Sequence, residues 1–321
     1  MPDDAAPDLP LDALTRLVAP LGTLADATRL EGGLFATTYR VTLEDGTRVV
    51  VKTAPVATGR LLTHEHDLLR TEAEVYALGA DHPDLLLPRL LHQDFTRTVV
   101  GGDVVVAAHL DGVPWKDAGF GPADRDPRAA RAHGDLAALI GRFAAVAGTT
   151  FGYPQSPALQ ADTWRGALTA MVEALLSDAQ RWSVDVPADR IRTALDRHGA
   201  ALDEVTEPRL VHSDLWPGNL FVDPATGAIT GVIDPERALW GDPLVDVVGA
   251  DPMWDGPGLD LDDSFDLTSP SGAARLLLAR LWLALVMTVE IAPRAYTGDW
   301  VADYDAANRR NLARALDELG V

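Results

Sequence analysis

The 321-residue sequence contains no cysteine, so a disulfide framework, a thiolate metal site and a catalytic cysteine are all excluded. Lysine is nearly absent as well. Of the 27 basic residues only Lys52 and Lys116 are lysines, and the others are arginines. A chain that uses arginine so freely, yet keeps Lys52 inside a predicted strand, indicates a need for a compact ammonium group there.

The sequence also lacks a basic, apolar leader, because residues 1–17 are acidic and rich in proline. No secretory signal is predicted, and a cytoplasmic location is expected. The most apolar run, residues 276–292, is interrupted by Arg280 and ended by Glu290 and Pro293. This run is therefore predicted to be a buried core helix, and no membrane partner is expected.

The net charge is −21, while the apolar content of 47% supports a folded core. Such a negative field repels nucleic acid and anionic membranes, so no nucleic-acid partner is expected. It can attract cationic small molecules, although an acidic surface also maintains solubility. No protein partner is evident from the sequence.

The order of predicted elements indicates an α+β protein with two lobes. A β-rich lobe over residues 1–109 contains a hairpin around Glu44–Gly46, followed by a helical segment over residues 61–80 that carries Glu72 on its apolar face. Residues 110–321 are predicted to form a larger, mostly helical lobe. The cleft between two lobes is a usual place for a small-molecule site.

The stretch LVHSDLWPGNLFV places His212, Asp214 and Asn219 just before a short predicted strand. The spacing H-x-D-x-x-x-x-N is typical of a kinase catalytic loop, in which the Asp takes or orients the proton of the attacking hydroxyl and the Asn reaches a metal ion. Asp234 ends the next predicted strand. Asn219 and Asp234 together offer the hard oxygen ligands that Mg²⁺ prefers.

Upstream residues complete a nucleotide site. Lys52 can bind the α- and β-phosphates of ATP or GTP, with Glu72 orienting it, and the backbone from Ala107 to His109 can read the adenine edge. Each motif alone occurs by chance, and a single strand lysine often has no functional role. All of them together, in this order, favour a nucleotide-dependent phosphotransferase.

The chain resembles the aminoglycoside phosphotransferase family from about Leu30 onward, most specifically in HSDLWPGN followed by IDPERALWGDPLVD. The resemblance implies a protein-kinase-like fold and a small-molecule kinase. It also implies that Asp214 is the catalytic base, that Asn219 and Asp234 bind the metal, and that Lys52 and Glu72 serve the phosphates. Asp246 would support the catalytic loop, and His212 is expected to pack that loop against the metal-binding turn.

Two departures from the protein-kinase pattern narrow the class of acceptor. The loop EGGLFATTY has only Gly32 and Gly33, so phosphate contact by its backbone N–H groups is weakly indicated. Few residues separate Asp234 from GDPLVD, which leaves little room for an activation segment. A small-molecule acceptor is therefore favoured over a peptide.

The acceptor is predicted to be cationic or sugar-like. The acidic stretch of residues 251–267 could bind ammonium groups, and tryptophans could cover a sugar face. The candidates for this pocket are Trp216, Glu236, Trp240, Trp254 and Asp255. The alternative is a solvated loop with its tryptophans in the core. The remaining histidines, including His64 and His66, are expected at the surface.

Two further functions stay open. Members of the fructosamine kinase branch resemble the chain in Trp216 and in Asp234-Pro235, so a ketosamine kinase is an alternative enzyme. A catalytically silent, nucleotide-binding pseudokinase is the alternative from another class. The presence of Lys52, Asp214 and Asp234 argues against it.

Overall fold

The structure is a computed structural model that describes residues 8–30, 35–256, 258–262 and 264–321. Gly32 and Gly33 of the predicted glycine loop lie outside the described residues. The helices of the described part are α1 (Leu11–Val18), α2 (Leu68–Leu78), α3 (Pro127–Ala145), α4 (Trp164–Arg181), α5 (Ala188–Arg197), α6 (Gly199–Leu202), α7 (Leu244–Gly249), α8 (Pro270–Val289), α9 (Ile291–Arg294) and α10 (Val301–Glu318). Its strands are β1 (Leu24–Leu30), β2 (Thr37–Leu43), β3 (Arg48–Thr53), β4 (Leu90–Asp94), β5 (Val104–Ala108), β6 (Val113–Pro114), β7 (Phe151–Gly152), β8 (Gln160–Ala161), β9 (Arg209–Val211), β10 (Leu220–Val222), β11 (Ile229–Val232) and β12 (Leu239–Gly241).

The smaller lobe is a five-stranded antiparallel sheet in the order β1-β2-β3-β5-β4. The predicted hairpin joins β2 to β3, and Gly46 in its turn has a φ of 86°, a conformation that glycine adopts without strain. The chain leaves this sheet after Ala108. It enters the larger lobe at β6, which pairs with β10.

Strand β3 contributes side chains both to the core of the smaller lobe and to a cavity on the other face of the sheet. Successive side chains of a strand point to opposite faces. Val49 and Val51 are fully buried against α1, and burial of a Val side chain stabilises a fold by about 1.5–3 kcal/mol. Val50 and Lys52 therefore point to the other face, where both line a large cavity.

The larger lobe packs around α8, whose side chains form the main core together with those of α4 and α10. By length and composition α8 and α9 together, Pro270–Arg294, could cross a membrane, but 78% of the apolar window is buried inside the protein. This burial agrees with the core helix predicted from the sequence. Two small sheets, β11-β10-β6 and β8-β7-β12-β9, lie between the helices and carry the loops of the site.

The sequence prediction was wrong for the segment before α2. A helix was expected from about Leu61, but the structure has a short 3-10 turn at Thr63–Glu65, and α2 begins only at Leu68. His64 was expected at the surface, yet it is 3% exposed and stacks on Tyr153 with ring centroids 5.5 Å apart. The neighbouring Glu65 is also buried, because it pairs with an arginine of the larger lobe.

Candidate active site

Three carboxylates surround the ammonium group of Lys52. Its Nζ donates to Glu72 Oε2 at 2.7 Å and to Glu236 Oε2 at 2.8 Å, and it also bonds Asp234 Oδ1. Burial opposes the charge of Lys52, but the carboxylates of Asp234, Glu236 and Glu72 together raise its pKa well above the usual value. The cluster holds more negative than positive charge, which suits a site for a cation.

The left-handed backbone conformation of Asp234 brings the carboxylates of Asp234 and Glu236 together. Asp234 follows β11 with a φ of 67°, which Asp tolerates better than most residues, and a 3-10 turn over Pro235–Arg237 comes next. The N–H of Asp234 donates to the Tyr76 hydroxyl of α2 at 3.3 Å. This turn therefore places both Asp234 and Glu236 against Lys52, although Glu236 was predicted for the acceptor pocket.

The loop between β9 and β10 is held by buried hydrogen bonds. Asp246 at the start of α7 accepts the backbone N–H groups of Ser213 at 2.7 Å and His212 at 3.2 Å. His212 Nε2 bonds the carbonyl of Ile233 at 3.1 Å, so the histidine ties the loop to the residue before Asp234. Burial lowers the pKa of His212 to about 4, which keeps the ring neutral near pH 7.

Asp214 and Asn219 are joined directly. The Asn219 side-chain amide donates to both the carbonyl and Oδ2 of Asp214 at 2.9 Å, which leaves the Asn219 Oδ1 for another partner. Burial raises the pKa of Asp214 to about 6, against the effect of the nearby Arg237 and with that of Asp234. A carboxylate with such a pKa can accept a proton near neutral pH.

The oxygen donors of this region fit a magnesium ion. Asn219 Oδ1 and the Asp234 carboxylate are hard ligands, and Asp234 is still 34% exposed to the cavity, so water or phosphate could complete the coordination. Carboxylate oxygens of Glu72, Asp234 and Glu236 also lie within 4.8 Å of one another. Lys52 sits among these three and neutralises part of their charge.

The site opens into a cavity of about 840 Å³ between the lobes. One half has apolar walls from both lobes, formed by Val50, Val105, Phe221 and Ile233. Ala107 and His109 also line this cavity. Burial lowers the pKa of His109. Asp214 and Asn219 also line the cavity, and α8, α9 and α10 of the larger lobe supply a second part of its wall.

The predicted acceptor residues do not all reach this cavity. Trp216 lines it, but Trp240 packs in β12 against Gly148, where a Cβ would meet the ring at 2.5 Å. Trp254 lies between the guanidinium groups of Arg280 and Arg314, at 5.2 and 3.7 Å from its ring. Asp255 lines a separate cavity of about 310 Å³.

Sequence reasoning missed a buried ion-pair network beside Asp214. Arg237 donates to Glu290 at 2.7 Å, and Arg294 bonds Glu65 through Nε at 3.0 Å and lies 3.8 Å from Glu290. Burial opposes the charge on Glu290, but Arg237 and Arg294 lower its pKa below the usual value. The one signal in the sequence was a glutamate, Glu290, at the end of a strongly apolar run.

A two-lobed fold with a lysine–glutamate pair, an Asp–Asn loop and a second aspartate at one cavity defines a kinase-like phosphotransferase. The chain belongs to the phosphotransferase enzyme family, whose model matches residues 26–265. The family membership and the α+β, protein-kinase-like fold predicted from the sequence are thereby confirmed.

Solved structures show the same fold at low sequence identity. A thermostable mutant of aminoglycoside phosphotransferase APH(4)-Ia, in ternary complex with AMP-PNP and hygromycin B, matches with a TM-score of 0.66 and 20% identity over 95% of this chain and 98% of that chain. A candidate aminoglycoside phosphotransferase from Ralstonia eutropha matches with a TM-score of 0.60 and 13% identity over 97% and 98%. A candidate fructosamine-3-kinase from Thermobifida fusca matches with a TM-score of 0.58 and 21% identity over 96% and 97%.

Proposed function

We propose that this phosphotransferase moves the γ-phosphoryl group of ATP or GTP to a hydroxyl of a small molecule, with Mg²⁺ as cofactor. The observation that carries the proposal is the convergence of Lys52, Asp214, Asn219 and Asp234 on one cavity between the lobes. A similar fold in complex with AMP-PNP and hygromycin B supports a nucleotide and a small acceptor as the two ligands.

The nucleotide would lie in the apolar half of the cavity. Val50 and Phe221 would cover the two faces of the base, and the backbone from Ala107 to His109 would meet its polar edge. Lys52 would release one carboxylate and turn its ammonium group to the phosphates, while Glu72 keeps it oriented.

The metal would be held by Asn219 and Asp234. When bound, Mg²⁺ supplies positive charge to the phosphate oxygens as the phosphoryl group moves. Asn219 is suited to both tasks, because its amide N–H group holds Asp214 while its Oδ1 is left for the metal. The excess of carboxylates around Lys52 compensates for the charge that the metal brings.

Asp214 would act as the base for the acceptor hydroxyl. A new bond forms between the hydroxyl oxygen and the γ-phosphorus, the bond to the β-phosphate oxygen breaks, and the nucleoside diphosphate leaves. The hydroxyl proton passes to the Asp214 carboxylate, which must be ionised to accept it. Asp246 holds the loop in place through two backbone N–H groups, so the carboxylate is preorganised.

Mass spectrometry of acceptor mixtures tests this proposal. The wild-type protein is incubated with Mg²⁺, ATP or GTP and pools of aminoglycosides, other antibiotics, amino sugars, ketosamines and nucleosides, with Asp214→Asn as the control. The expected result is an acceptor heavier by one phosphoryl group, formed by the wild type alone. Tight Mg²⁺–nucleotide binding without transfer to any pool or to water would instead support a pseudokinase.

A further inference from the structure

The half of the cavity wall that α8, α9 and α10 supply is predominantly apolar. Helix α8 contributes four side chains that share one helix face, namely Trp282, Leu283, Val286 and Met287. Met253 and Tyr153 add to the same surface. An acceptor seated here would bury apolar surface, worth about 25 cal/mol per Å².

Glu290, which follows α8, is the carboxylate that this helix brings to the cavity, and most of its acceptor positions are occupied. Its Oε2 takes the Arg237 guanidinium at 2.7 Å, and its Oε1 takes the hydroxyl groups of Tyr296 and Tyr304 at 3.3 Å each. Arg294 is a second cation at the wall. Within this group of residues Glu65 and Glu290 balance Arg237 and Arg294, which leaves Asp214 as its one uncompensated negative charge. The carboxylates around Lys52 line the same cavity but share the Lys52 ammonium group.

The acidic stretch of residues 251–267, which was expected to bind ammonium groups, does not bring its described carboxylates to the large cavity. Among its described residues, Pro252 and Met253 reach the large cavity, and neither is charged. Asp251 is occupied within its own loop, since it accepts the N–H groups of Asp255 and Gly256 at 3.2 and 3.1 Å and contacts Arg280 at 3.2 Å. A polycation would therefore find few carboxylates here.

The rim of this half continues the apolar surface outward. Tyr296, Trp300 and Tyr304 pack together, with ring centroids 5.4 to 6.4 Å apart. Tyr296 and Tyr304 line the cavity, while Trp300 is 45% exposed, one of the few large apolar side chains on the described surface. Exposed aromatic residues next to a cavity are typical of a ligand entrance.

We infer that the acceptor is an uncharged alcohol with an aromatic or polycyclic apolar body. This inference rests on the phosphotransfer proposed above, because it places the hydroxyl of that body at Asp214. An amino sugar with several ammonium groups would have to leave water without gaining free carboxylate partners on this wall, which is costly. A neutral body would displace water from the wall formed by α8.

Binding measurements on the wild-type protein test the acceptor class. Isothermal titration with Mg²⁺ and AMP-PNP present compares neutral aryl and polycyclic alcohols with aminoglycosides of similar size and with choline as a single cation. We expect the best neutral alcohols to bind at least about tenfold more tightly, a difference of about 1.4 kcal/mol. Equal or tighter binding of either cationic set, or no neutral alcohol with a Kd below about 1 mM, overturns the inference.

A charge reversal at the wall gives an independent test. Met287→Glu should weaken neutral alcohols about tenfold and strengthen cationic ones, with AMP-PNP affinity unchanged, because it adds an unpaired carboxylate. Ala273→Glu adds the same charge to α8 away from the cavity and should change neither set. If Met287→Glu leaves the ranking of acceptors as it is, the inference fails. Should the variant not fold, the wild-type comparison still decides.

These assays separate two kinds of failure. If cationic acceptors bind better and are phosphorylated, the acceptor class is wrong and the phosphotransfer stands. If neutral alcohols bind tightly but none gains a phosphoryl group, and water is not used either, the proposed activity is wrong while the cavity preference stands.

Discussion

Replacing Glu236 with glutamine should make the protein more stable than the wild type at alkaline pH. Glu236 is 6% exposed and shares the single ammonium group of Lys52 with Glu72 and Asp234. Burial, and then the negative charge of Asp234, raise the pKa of Glu236 to about 7. Its ionised form therefore destabilises the folded state relative to the unfolded chain.

The size of the effect follows from proton linkage. The ordinary pKa of 4.5 applies to the unfolded chain and about 7 to the folded one, so the folded state binds more protons between these values. The stabilisation that protonated Glu236 gives the folded state is fully present below pH 4.5 and is lost as the pH rises through 7. Between about pH 5.5 and about pH 8 the calculated loss is about 2 kcal/mol.

Urea unfolding at these two pH values checks the prediction. The wild-type free energy of unfolding, relative to that of Glu236→Gln, should fall by about 2 kcal/mol at the higher pH. Glu44→Gln, in the exposed hairpin turn, is the control and should show no such difference. If the difference in free energy of unfolding between the wild type and Glu236→Gln is the same at both pH values, the carboxylates around Lys52 are not crowded as described.

Three further predictions concern the loop and the core. Since burial raises the pKa of Asp214 to about 6, kcat/KM for the acceptor should fall about tenfold per unit below pH 6 and level off above it; a flat profile would exclude Asp214 as base. Gly249→Ala would place a Cβ 2.4 Å from the Ser213 carbonyl oxygen, so kcat and the melting temperature should both fall, whereas Gly141→Ala in α3, with nothing within 4 Å, should not destabilise. Burial lowers the pKa of His64 from 6.5 to about 4, so this histidine stabilises above pH 6.5 and that contribution is lost as the pH falls toward 4. The His64→Leu variant should therefore lose about 2 kcal/mol less than the wild type between about pH 7 and about pH 5 in urea titrations, and equal losses would contradict this.

The parts of the site that the sequence predicted are those with local signals. The sequence pointed to Lys52 because a rare lysine stood inside a predicted strand, and to Glu72 because a carboxylate interrupted an apolar helix face. The spacing from His212 to Asn219 defines one loop, so its geometry follows from short-range hydrogen bonds. The hairpin of β2 and β3 and the long helices were predictable for the same reason.

The parts that could not be predicted depend on contacts across the chain. Glu236 joins Lys52 because Asp234 adopts a left-handed φ, and a sequence pattern does not show that conformation. The pair of Glu65 with Arg294 spans 229 positions, so the burial of Glu65 and His64 had no local signal. Helix α8 is apolar on every side, which hid the difference between its core face and its cavity face.

In the proposed mechanism Asp214 serves phosphoryl transfer and has no role in nucleotide binding. The most direct test measures phosphoryl transfer and Mg²⁺–nucleotide affinity together in the wild type and in Asp214→Asn, with an acceptor found by mass spectrometry or with water. We predict that transfer falls by about 10²–10⁴ while the nucleotide Kd changes by less than about threefold. Retained transfer, or a parallel loss of nucleotide binding, would contradict the assignment of Asp214 as the base.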